Sequence, residues 1–100
     1  MMTVPQRFQL LGRDIRVIFD PRTEDQFVDG EVLDGETDLR HDTITIHVAT
    51  GNANAVGHTF YHELVHAILD LMGREDLSAD EAFVVMFGGL LWQMHKTAQL

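Results

Sequence analysis

Near the middle of the chain, His62-Glu63-Leu64-Val65-His66 sets two imidazoles four positions apart with a carboxylate beside the first. On a helix that spacing leaves the two rings rotated by only about 40° and displaced by about 6 Å. They then face the same way and can grip one metal ion. Glu63, about 100° round from His62, is near enough to take a proton from metal-activated water without being a ligand itself. The competing reading is a pair of solvated histidines and a glutamate on an amphipathic helix, because five-residue patterns also occur without function.

Two histidines need a third protein ligand if a tetrahedral zinc is to keep one open position. The extended pattern with a further glycine and histidine fails, since Leu69 and Met72 occupy those places. A ligand from the region after the helix remains, with Asp70, Glu75, Asp76, Asp80, Glu81 and His95 as candidates. Glu81 is best placed, because a short loop after Gly73 folds the next helix back and brings its first turn near His66. A rival role is visible for it: Ser78-x-x-Glu81 is a capping-box pattern, in which the glutamate bonds the Ser78 N–H. Asp70 reads as an orienting group behind a ligand or as a solvated helix residue. His95 lies about 21 Å along the helix from Glu81, too far to share its metal.

The elements that must hold these residues follow from periodicity. Apolar residues Val56, Phe60, Leu64, Val65, Ile68, Leu71 and Met72 recur at helical spacing from about Ala53 to Gly73. Arg74 to Leu77 reads as a connection, and a second helix opens at Ser78-Ala79-Asp80-Glu81 and runs to His95. That helix is apolar nearly all round, which predicts a central core element or a face that meets a partner, with a homodimer as one form. Gly88-Gly89 within it suggests close backbone approach. Upstream, Phe8 to Leu11 and Ile15 to Phe19 form a hairpin pattern about Gly12-Arg13-Asp14. Glu31 to Gly35 is a weak strand or turn, and Thr43 to Ala49 alternates cleanly. Ile44, Ile46 and Val48 are expected to face the helices, leaving Thr43, Thr45 and His47 on the other face and outside the site. This strand is also a candidate for pairing with an extended peptide. His58, one turn before His62, either lines the cleft or is solvated, and Tyr61 reads as packing. The predicted class is α+β: a small antiparallel sheet of three or four strands packed on two helices, in one domain over residues 1–100.

Composition narrows the chemistry. The absence of cysteine excludes disulfides, thiolate metal sites and cysteine nucleophiles. Sixteen acidic against seven basic residues, a formal charge of −9, argue against nucleic acid or an anionic membrane as partner. Much of that excess lies between Asp20 and Asp42. No leader pattern and no apolar run long enough to span a bilayer is present, so a cytoplasmic location is expected.

Thr59-Phe60-Tyr61-His62-Glu63-Leu64-Val65-His66-Ala67-Ile68, followed by Gly73, Leu77-Ser78 and Glu81, resembles the small H-E-x-x-H proteins of phages and prophages. These are similar to ImmA/IrrE-type and other compact gluzincin metallopeptidases, the minigluzincins. Gly35-x-x-Asp38 and Thr43 to Ile46 extend the likeness over roughly residues 35 to 90. The resemblance implies a zincin-like domain, Zn2+ held by His62, His66 and Glu81, Glu63 as general base, and a peptide or protein substrate. The alternative function is a non-catalytic, phage-related interaction module in which the zinc site is structural.

Overall fold

The computed structural model describes residues 4–21, 34–49 and 51–99. Four strands, β1 (Arg7–Leu10), β2 (Arg13–Phe19), β3 (Gly35–Asp38) and β4 (Thr43–Ile46), precede three helices, α1 (Ala53–Leu71), α2 (Glu75–Ser78) and α3 (Glu81–Thr97). The α+β class is as expected. Among the described residues, no helix is long and apolar enough to cross a membrane.

The first hairpin turns on Leu11 and Gly12, one residue earlier than the sequence pattern suggests. Both have positive φ, 50° and 75°, and Leu10 pairs with Arg13. Two successive left-handed residues make a tight turn whose twist matches that of the strands. In β2 the alternation then puts Ile15 and Val17 on the buried face and Arg16 and Ile18 outside.

The sheet order is β1-β2-β4-β3, and it is mixed rather than antiparallel, which corrects the expectation. β2 and β4 run parallel, with Val17 opposite Ile44 and Phe19 opposite Ile46. The reason is the number of chain reversals. β3 comes between them in sequence, runs opposite to β4 and lies on its far side, so β4 re-enters in the direction of β2. β4 is therefore paired along both edges and cannot add a peptide strand, contrary to the sequence expectation. The expected strand or turn over Glu31 to Gly35 meets β3 only at Gly35, and residues 31–33 lie outside the description, as do Glu24, Asp25 and Asp29 of the acidic segment.

Ile15, Ile44, Ile46, Val56 and Phe60 form the core between sheet and α1, with Phe8 edge-on to Phe60 at 5.8 Å. Each such side chain, fully buried, contributes about 1.5–3 kcal/mol of transfer free energy. The Asn52 side chain caps α1 by accepting from Ala55 N at 3.1 Å. At its other end Gly73, with φ 75°, closes a Schellman turn: its N–H reaches Asp70 O and that of Arg74 reaches Leu69 O. This turn sends the chain back along α1.

Between the two long helices lies α2, a single turn where the sequence suggested only a connection. α3 packs on α1 through Val84, Gly88 and Trp92, spaced one turn apart, while Val85, Met86, Phe87, Leu90 and Met94 stay exposed. It is therefore one-sided, not the central core element. Gly88 allows the approach, since a Cβ there would lie 3.2 Å from the His62 backbone, whereas Gly89 faces open space.

Candidate metal centre

α1 supplies His62 and His66 as successive positions on one stripe, their ring centroids 4.9 Å apart. α3 returns antiparallel and presents Glu81 at its first residue, with Oε2 3.5 Å from His62 Nε2 and Oε1 3.3 Å from His66 Nε2. One donor atom from each residue falls within 4.8 Å of the others. Ligands about 2.0–2.1 Å from a tetrahedral centre stand about 3.3–3.4 Å from one another, close to the distance of each histidine from a Glu81 oxygen. Two imidazoles and one carboxylate also form a donor set that leaves a fourth position for water or substrate.

The choice between cap and cluster for Glu81 is decided by its neighbours. Asp80 caps α3, its Oδ1 accepting from Phe83 N at 3.1 Å. The Ser78 N–H that a capping box would give to Glu81 instead donates to Arg74 O. Ser78 Oγ lies 2.9 Å from His66 Nδ1. No capping box forms, and the Glu81 carboxylate is left to the two histidines. The other candidates are engaged elsewhere or stand apart: Asp76 forks with Arg74, and His95 Nδ1 bonds the Tyr61 hydroxyl. Asp70 and Glu75 are not in the cluster.

Glu63 shares the lining of one cavity with the two histidines and is only 8% exposed. Thr37 on β3 donates from Oγ1 to Glu63 Oε1 at 2.8 Å and lies 3.0 Å from its backbone oxygen. Burial pushes the Glu63 carboxyl above its ordinary pKa, opposed by the Thr37 bond and then by the nearby imidazoles. β3 can come this close because Gly35 has no side chain: a Cβ there would stand 2.7 Å from Thr59 Cγ2 and 3.1 Å from Glu63 Cγ.

A cavity of about 690 Å³ opens over the cluster, and among the described residues neither lysine nor arginine lines it. Asp34, Glu63 and Glu81 make its wall acidic, which favours a cation. His58 also lines it, exposed and edge-on to Trp92. Tyr61 packs against Phe60 and Trp92. His41 sits exposed in the β3–β4 turn against Asp38, outside the site. His47 is outside it as well, yet only 3% exposed, held between Asp20 O at 2.8 Å and Glu36 Oε2 at 2.6 Å.

Two contributors escaped sequence reasoning. Thr37 has no local pattern that marks it, because its role depends on where β3 docks. Ser78 carried a signal, but one that pointed to a helix cap. The chain matches no protein-family model, no curated protein and no solved structure.

Proposed function

We propose that this chain is a cytoplasmic zinc-dependent hydrolase of peptide bonds, with His62, His66 and Glu81 as the metal ligands and Glu63 as general base. The observation that carries the reading is the convergence of three N and O donors beside a buried carboxylate at an open cavity. A structural zinc site is usually closed by four protein ligands, and three with a cavity beside them suit catalysis. When bound, zinc supplies Lewis acidity toward a scissile carbonyl and lowers the pKa of water.

The chain's own groups supply the rest. Ser78 holds the His66 ring by its Nδ1, leaving Nε2 for the metal. Thr37 fixes one oxygen of Glu63 by donating to it, which favours the ionised form that a base needs. The Glu63 carboxylate takes the proton of the attacking water and returns it to the leaving amine. Its burial raises its proton affinity, which suits the first of these transfers.

Glu63→Gln tests the proposal, because it keeps the shape and the metal ligands but removes the base. The variant is expected to bind one zinc per chain and to lose hydrolysis of a peptide library that the wild type cleaves. Hydrolysis that survives the change would remove the mechanism. A wild type that binds zinc, cleaves nothing and unfolds on chelation would instead mark the structural module.

A further inference from the structure

Two stripes of side chains wall the cavity along its length. α1 contributes His58, His62 and His66, and antiparallel to it α3 contributes Glu81, Val85 and Gly89, each series stepping by one helical turn. The Gly88 approach to His62 fixes the pairing of the two helices. Glu81 thus stands at the metal end with both proposed ligands, and Gly89 stands toward His58. The cleft leads away from the metal cluster into an end whose α3 side changes from a carboxylate to valine to no side chain at all.

Both last positions are unusual for what they leave open. Val85 is 57% exposed although it faces the cavity. Gly89 interrupts a helix, where glycine is less favourable than alanine. Unlike Gly88, it has no neighbour among the described residues that demands the absence of a Cβ, since none of them lies within 4 Å of one. The space it leaves is cavity, not core.

Resting on the proposed peptidase reading, we infer that Val85 and Gly89 form a subsite for a bulky apolar side chain of the substrate, next to the scissile bond. Gly89 sets its depth. Val85 gives the apolar wall, and on that stretch of α3 no charged group would have to be desolvated by a leucine or phenylalanine side chain. A side chain at position 89 would fill the same volume from the protein side, so the residue there controls the size of side chain accepted.

The test uses zinc-loaded protein and a series of peptide hydroxamates that differ only in the side chain beside the zinc-binding group: Gly, Ala, Leu and Phe. The wild type is expected to bind the Leu and Phe compounds at least about tenfold more tightly than the Gly compound, in line with the discrimination of an apolar pocket. Gly89→Leu should lose that preference while keeping one zinc per chain, and Gly89→Ala should fall between. Thermal melts establish folding, and Gly89→Ala should melt above the wild type, so it remains informative if Gly89→Leu does not fold. Equal affinity across the series in zinc-loaded wild type, or the same preference in wild type and both variants, would overturn the subsite and leave the metal site standing. A chain that takes up no zinc would overturn the proposed function and this subsite with it.

Discussion

Ser78 Oγ lies 2.9 Å from Nδ1 of His66, and the same serine gives its backbone N–H to Arg74 rather than to Glu81. A metal on Nε2 requires the imidazole proton on Nδ1, so the serine oxygen is then the acceptor. Ser78→Ala should therefore weaken zinc binding by about 10- to 100-fold, the usual effect of losing a group behind a ligand. Asp80→Ala should do the reverse: lower stability by about 1 kcal/mol through loss of the α3 cap, with a smaller effect on zinc. Zinc competition titrations and denaturant melts of the two variants separate the roles. Equal zinc affinity in Ser78→Ala and wild type would show that the contact does not orient the ligand.

Thr37 couples the edge of the sheet to Glu63, the proposed base. Thr37→Val keeps the shape and removes the only proton that the side chain can donate to Glu63 Oε1. The expected result is unchanged zinc stoichiometry, a fall in kcat on the order of tenfold or more, and little change in KM. Thr37→Ser should restore most of the rate. A Thr37→Val variant with wild-type kcat would show that Glu63 needs no such support.

The pH dependence of the metal-free protein follows from the burial of Glu63. Its folded-state pKa is raised, chiefly by desolvation, so the folded chain holds this proton more tightly than the unfolded chain does. The contribution to stability is fully present below the unfolded-state value, about 4.3, and is lost as pH rises through the higher folded-state value. Metal-free Glu63→Gln should thus be more stable than the metal-free wild type at neutral pH, with the gain shrinking as pH falls through that window and levelling off below it. Melts of both proteins in chelator across pH 4 to 8 check this, and a gain that grew toward acid pH would contradict the sign.

What could be read from sequence depended on how far apart the cooperating residues stand. His62, Glu63 and His66 are visible because four helical positions fix their geometry without reference to anything else. Glu81 was legible only in competition with a cap, since its role depends on the Schellman turn at Gly73 and on Asp80 taking over the capping bond. Thr37 was invisible, because it meets Glu63 only once β3 has docked on α1. The parallel pairing of β2 with β4 was missed for a related reason. Alternation identifies a strand and its buried face, but direction depends on the reversals between strands, and β3 supplies one that propensity did not place.

Gly88 and Gly89 stand side by side in α3, and the structure assigns them opposite sensitivities. At Gly88 a Cβ would be 3.2 Å from both N and Cα of His62 and 3.3 Å from the Tyr61 carbonyl carbon, all of them backbone atoms that cannot rotate aside. Gly88→Ala must push α3 from α1, at a cost typical of overpacking, about 1–3 kcal/mol. The same displacement would carry Glu81 away from the two histidines, so zinc affinity should fall with stability. At Gly89 the added methyl meets none of the described residues, and the gain in helix propensity, about 1 kcal/mol, is expected in full. Denaturant melts of both variants with and without zinc give the comparison. If Gly88→Ala were as stable as Gly89→Ala and bound zinc equally well, the close packing of α3 on α1 at His62 would not be what sets the metal cluster.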